Sequence, residues 1–212
     1  MTVADPATAR AARQALRTND CWNHNTHYHR FLPRWVPPPW GRVLDVGCGE
    51  GLLTRRMAPF ARDVVGIDAD QAMIARARDL APRLTYVHGD VLSADVGGPF
   101  DLVTCFMTLH HLGPAPGLRR LRDLVAPGGA LVVVGGARAS APIDWWWGLL
   151  GAAVNGPARR LRGHWEPGAP VRESTETYGD VVREAELLLP GARFRHRLYW
   201  RYSLVWQAPV NV

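Results

Sequence analysis

Three carboxylates, a glycine cluster and a pair of histidines lie where they could do chemistry. Asp45 stands two residues before the first glycine of Gly47-Cys48-Gly49-Glu50-Gly51. Asp68 closes the run Asp63-Val64-Val65-Gly66-Ile67-Asp68, and Asp90 follows in His88-Gly89-Asp90-Val91. His110 and His111 stand in tandem after Phe106-Met107-Thr108-Leu109. Glycines in a tight turn reach backbone angles closed to other residues and leave no Cβ between chain and ligand. The spacing is Gly-x-Gly-x-Gly, not the Gly-x-Gly-x-x-Gly of a dinucleotide binder. A carboxylate so close to the turn suits a ligand carrying a cation and an amino group better than a pyrophosphate. Asp68 lies about twenty residues past the glycine turn, where a carboxylate accepts from the two hydroxyls of a ribose. Asp90 reads either as a second polar contact or as part of a plain Gly-Asp turn. An imidazole titrates near neutral pH, so His111, or less readily His110, could take a proton from an acceptor. The competing reading makes them pocket wall and packing.

The elements that position these groups follow from the apolar pattern. Continuous runs at 42–46, 63–68, 83–87, 99–106 and 130–136 read as buried strands of a parallel sheet. Helices are expected over 52–58, over 71–81 with Asp70 as N-cap, and over 114–126, ended by Pro127-Gly128-Gly129. Asp101 reads as a structural acid at its strand's entry. A further helix over 178–189 and two strands over 192–200 and 202–208 complete the chain. The junction between those two strands has to be tight.

The sequence Val43-Leu44-Asp45-Val46-Gly47-Cys48-Gly49-Glu50-Gly51-Leu52, with Asp68 and Gly89-Asp90-Val91 in register behind it, resembles the class I S-adenosylmethionine (SAM)-dependent methyltransferases, small-molecule type. The resemblance runs from about Trp40 to Gly136 and more weakly to the C-terminus. It implies an α/β fold: a single Rossmann-like, seven-stranded sheet, mostly parallel with an antiparallel last strand, helices on both faces and an N-terminal helical lid. It also implies SAM as cofactor and S-adenosylhomocysteine as product. Asp45, Gly47 and Gly49 would hold the amino-acid part, Asp68 the ribose, and Met73, Asp90 and Val91 the adenine, with Ala69 a further cofactor contact and Phe106 beside the methyl. Met73 reads equally as core.

Residues 1–39 are expected to form the lid and a Pro-rich linker, and 40–212 the methyltransferase domain, with a substrate-recognition insertion at about 139–172. Within the lid, Trp22, His24, His27 and Tyr28 are the candidate substrate contacts, against the alternative of an amphipathic helix packed on the domain edge. His24, His27, Tyr28 and Phe31 share one face of a helix. Pro33 and Pro37 to Pro39 should end it. Trp145 and Trp146, in a run of three tryptophans with Trp147, are further substrate candidates. The run could instead meet a membrane surface or a second copy of the chain.

Composition narrows the classes. The chain has 212 residues, 47% of them hydrophobic, which suits one folded domain. Its 25 basic residues are all arginine, against 19 acids, for a net charge of +6. No basic run exceeds two adjacent arginines, which argues against a nucleic-acid partner. The 3 cysteines, Cys21, Cys48 and Cys105, are scattered, with no zinc spacing and no metal site expected. With no signal peptide or membrane span visible, the expectation is a cytoplasmic enzyme, a monomer or homodimer. The aromatic residues near the predicted pocket favour a small, aromatic or heteroaromatic acceptor, an indole, phenol or amine of secondary metabolism, methylated at C, N or O. Two alternatives stand beside this reading: an RNA or protein methyltransferase, and a SAM-binding protein without methyl transfer, such as a cyclase or regulatory partner.

Overall fold

Along each central strand, neighbouring residues pack into two different cores. Val43 faces one side of the sheet and Leu44 and Val46 the other; Leu102 and Phe106 face the first side, Val103 and Cys105 the second. Side chains alternate across a strand, so a strand apolar at every position is one covered on both faces. The computed structural model describes residues 5–16, 22–162 and 174–210.

The strands are β1 (Trp40–Val46), β2 (Ala61–Asp68), β3 (Thr85–His88), β4 (Phe100–Phe106), β5 (Val125–Gly135), β6 (Arg193–Arg197) and β7 (Arg201–Gln207). They form one sheet in the order β3-β2-β1-β4-β5-β7-β6. The first five run parallel; β7 is antiparallel to both β5 and β6. The strand order reverses between β1 and β4. In such sheets ligands bind beyond the carboxyl ends of the strands at that reversal.

One face is covered by α6 (Pro114–Leu124) and α8 (Tyr178–Leu188), through Leu118, Leu121, Leu124, Val181 and Ala185. Thr177 and Asp180 cap α8 reciprocally, satisfying two backbone donors at its start. The other face is covered by α3 (Leu52–Met57), by Ala158 of α7 (Pro142–Arg162) and by the N-terminal segment. Against the edge, α4 (Gln71–Leu80) packs Ile74 and Ala77 on Tyr86 of β3. Asp70 caps it, accepting from the amides of Ala72 and Met73.

Several boundaries differ from the expectations. The N-terminal segment is α1 (Pro6–Ala15), then a 3-10 stretch over Thr26–Phe31, then α2 (Leu32–Trp35). Pro33 sits in the first turn of α2, where its missing N–H is no loss, so it starts a helix rather than ending one. Trp22, Tyr28 and Leu32 are members of the core beneath them. Pro127-Gly128-Gly129 does not end the helix, which stops at Leu124; it lies within β5. The β4–β5 register shifts there, Phe100 facing Val125 but Leu102 facing Ala130, with Gly128 at a φ of 73°. Leu198-Tyr199-Trp200 make the β6–β7 turn, with Tyr199 and Trp200 both left-handed, φ 59° and 56°. Cys21 and the stretch 163–173 lie outside the described residues.

Candidate active site

The parallel register places Asp45 beside Thr104 on the same face of the sheet. Asp45 Oδ1 accepts from the Thr104 hydroxyl at 2.8 Å, and Oδ2 from the Thr54 hydroxyl at 2.7 Å. The carboxyl group is 2% exposed. Burial pushes its pKa up to about 6, against the opposing pull of the two hydroxyls. Asp45 therefore lies under the glycine turn and braces it, with β4 on one side and α3 on the other.

The turn itself is held from three directions. Gly47, Gly49 and Gly51 have φ values of 69°, 54° and 75°. The Gly47 and Cys48 amides both donate to the Ile67 carbonyl of β2. The Gly49 amide donates to Asp68 Oδ2 at 2.8 Å, and Asp68 Oδ1 accepts from the Asp70 amide at 2.9 Å. Glu50, 8% exposed, reaches Arg76 of α4 at 2.8 Å and Arg55 of α3 at 3.8 Å. It pins together the two helices that flank the turn, a role its sequence position did not signal.

The three glycines are there for different reasons. A Cβ on Gly47 would lie 1.9 Å from Thr108 Oγ1, and one on Gly51 2.5 Å from the Tyr86 hydroxyl. A Cβ on Gly49 would meet nothing within 4 Å. Gly49 thus presents bare backbone to open space, next to Asp68. Around it the half-buried Met73 lies in the first turn of α4, and Ala69 is exposed at the end of β2. Asp90 is exposed; its Oδ1 accepts from the Leu92 amide, while the Val91 side chain is buried in the core. Asp68 and Asp90 thus stand at the carboxyl ends of β2 and β3 beside the glycine turn, with Asp45 buried beneath it near the end of β1.

At the end of β4, Phe106 is 8% exposed and is followed by Met107 with a left-handed φ of 56°. The His29 ring meets Phe106 edge-on at 5.3 Å, and its Nδ1 lies 3.2 Å from Arg56 Nη1. Burial, with Arg56 adding to it, drives the His29 pKa down to about 3, so this imidazole stays neutral and accepts. His29 lies in the 3-10 stretch Thr26–Phe31 and is not among the expected site residues.

His110 and His111 lie in α5 (Leu109–Leu112), with ring centroids 4.1 Å apart. His111 is exposed and His110 half-buried, near enough to Glu176 to act on its carboxylate electrostatically. Burial raises the Glu176 pKa, but hydrogen bonds from backbone and from Ser174, with His110 adding, hold it below the usual value.

The remaining substrate candidates separate into two groups. Trp22, His24, His27 and Tyr28 gather against the β6–β7 turn. The His24 ring stacks on Tyr199 at 5.0 Å, and its Nε2 lies 2.7 Å from Asn155 Oδ1 of α7. Trp22 meets Tyr199 edge-on at 6.0 Å, and the Tyr28 hydroxyl donates to the Leu198 carbonyl at 2.6 Å. His27 is buried beside Trp22. A Cβ on Gly136 would lie 3.5 Å from the Trp200 carbonyl and 3.6 Å from Met107 Cε, so the turn and the end of β4 meet there. Sequence reading had counted Tyr199 and Trp200 as strand core; their left-handed angles place them on the turn instead. Trp145 and Trp146 of α7 are 67% and 66% exposed. Trp147 stacks over His196, which pairs with Asp144 at 2.7 Å. Burial raises the thiol pKa values of Cys48 and Cys105, the latter to about 12, so neither is a nucleophile at neutral pH. Among the described residues, no His, Cys, Asp or Glu cluster could hold a metal ion and no helix is long and apolar enough to cross a membrane.

Comparison with known proteins agrees with this geometry. Residues 43–129 match the model of a family described as "Methyltransferase domain". An uncharacterized methyltransferase of Mycobacterium tuberculosis is 37% identical over 195 residues, covering 89% of this chain and 98% of that protein. A ubiquinone biosynthesis O-methyltransferase of Pseudomonas aeruginosa is 37% identical over 95 residues, or 42% of this chain and 41% of its own. Among solved structures, N-methyltransferase NodS from Bradyrhizobium japonicum in complex with S-adenosylhomocysteine superposes with a TM-score of 0.59 at 20% identity, covering 95% of this chain and 98% of that one. DesVI from Streptomyces venezuelae does so with a TM-score of 0.60 at 16% identity, over 98% and 100%. At these identities the two structures speak for the fold alone. The matched methyltransferase domain, the near full-length relative and the seven-stranded sheet agree: the chain belongs to the class I SAM-dependent methyltransferases.

Proposed function

We propose that this SAM-dependent methyltransferase acts on a small aromatic or heteroaromatic metabolite, at a carbon, nitrogen or oxygen nucleophile. The observation that carries the reading is the half-buried His24 and partly exposed Trp200, backed by the buried rings of Trp22 and Tyr199, which lie where Gly136, just past β5, meets Met107, just past β4. Such rings give a planar acceptor an apolar wall with polar edges. The O-methyltransferase and N-methyltransferase names of the relatives fit a small acceptor without choosing its atom.

When bound, SAM supplies a methyl group already activated by its sulfonium. The chain's own work is to hold and orient. Asp68 would accept from the ribose hydroxyls, Asp90 and the Val91 amide would meet the adenine, and the Gly47–Gly51 turn would lie along the amino-acid part. Asp45 would contribute its charge from beneath, since both its oxygens are engaged by threonine hydroxyls. The N-terminal segment roofs the acceptor side and keeps water out. Where the nucleophile carries a proton, His111 is the candidate base, being exposed and within α5 beside that end of the sheet. A screen of indoles, phenols and aromatic amines with methyl-labelled SAM tests the reading. Transfer to one class supports it; transfer only to RNA or protein overturns it.

A further inference from the structure

A second cavity, of about 470 Å³, opens between α1 and the Thr26–Trp35 segment. Its lining is Arg10, Arg13, Gln14, Arg30, Phe31 and Arg34. Ala9 and Ala12 anchor α1 to the molecule, which leaves Arg10, Arg13 and Gln14 on a neighbouring face at i, i+3 and i+4. Arg30 and Arg34 come from the second element and flank Phe31, their guanidinium carbons 4.8 and 5.8 Å from its ring centroid. Phe31 in turn stacks on Trp35, which stiffens the floor. Arg30 also donates toward His27 Nε2 at 3.0 Å, which fixes its direction. No described lining residue is acidic.

Four guanidinium groups line one cavity. Each offers a planar fork of donors that matches phosphate oxygens. We propose that this cavity binds a phosphate-bearing ligand. It is opposite in character to the carboxylates Asp68 and Asp90 at the ends of β2 and β3, so the two sites take different ligands, and the proposal does not depend on the acceptor assigned above. The aromatic floor favours an ester with a flat or apolar portion beside its phosphate. Because the cavity joins α1 to the Thr26–Trp35 segment, which follows directly on Trp22 and His24, a bound phosphate also ties down the roof of the acceptor side.

Calorimetric titration of the full chain with inorganic pyrophosphate, at low salt and without SAM, tests this. The expected result is saturable binding that weakens at least about tenfold in Arg10→Ala/Arg13→Ala and in Arg34→Gln. These residues are at the surface or half-buried, and alanine is a good helix former, so α1 is retained. Arg62→Ala/Arg119→Ala removes the same charge from exposed positions elsewhere and should bind as the parent does. Vesicles containing phosphatidic acid distinguish the source: vesicle binding lost in the same variants identifies a lipid headgroup, and pyrophosphate binding without it a soluble ester. Absence of binding to either probe, or equal loss in the Arg62/Arg119 control, overturns the proposal.

Discussion

The Gly49 amide donates to Asp68 Oδ2 at 2.8 Å, tying the glycine turn to the end of β2. With the Asp70 amide on Oδ1, each carboxylate oxygen accepts one backbone bond and keeps a lone pair for a ribose hydroxyl. One side chain therefore shapes the turn and faces the ligand. Asp68→Ala should weaken SAM binding by roughly 1.5 to 3 kcal/mol, because hydrogen bonds to a charged group are lost. Calorimetry measures it. An unchanged dissociation constant would remove the ribose assignment.

Two glycines of the turn should respond differently to the same substitution. Gly47→Ala pushes a methyl into Thr108 at a φ of 69°, so its main effect is on the fold, seen as a lowered Tm. Gly49→Ala meets open space at a φ of 54°; it should cost about 1 kcal/mol of stability through the left-handed angle while blocking SAM. Thermal melts and SAM titration of the two variants separate the effects. A Gly49→Ala protein that binds SAM like the parent would contradict the cradle.

Asp45 gives a pH dependence whose sign can be worked out. Its folded pKa, about 6, stands above the ordinary 3.8, so the folded state binds the proton more tightly. The stability this group contributes is full below about pH 4, falls as pH rises toward about 6, and is flat above that. Asp45→Asn should therefore be more stable than the parent near pH 7.5, by on the order of 1–3 kcal/mol, and the two should converge near pH 4. The same substitution removes the charge beneath the turn and should weaken SAM binding at neutral pH. Loss of stability at every pH would show that the threonine bonds, not the charge, dominate.

Much of the fold was legible because its signals are local. Asp70 caps α4, Thr177 begins α8, and Asp68 ends β2, each within a residue or so of where the pattern puts it. What escaped depends on tertiary contact or on backbone angles. The burial of Asp45 needs Thr104 from a strand 59 residues away. The Pro127-Gly128-Gly129 irregularity inside β5 is visible only through its register with β4. The turn at Tyr199 and Trp200 uses left-handed angles that their bulk argues against, and that turn places them beside His24.

The histidine pair separates base from wall. If His111 takes the acceptor's proton, His111→Ala should lower turnover by about 10² with SAM binding intact. His110→Ala, removing the ring beside it, should cost less. A loss below about threefold in His111→Ala leaves it as pocket wall.

The most direct test of the account is calorimetric titration of SAM and S-adenosylhomocysteine into the parent and into Asp68→Ala. Micromolar binding of both by the parent, weakened about ten- to hundredfold by the substitution, is the predicted result. No binding of either ligand by the folded parent would contradict the assignment of the crevice at Gly49, Asp68 and Asp90.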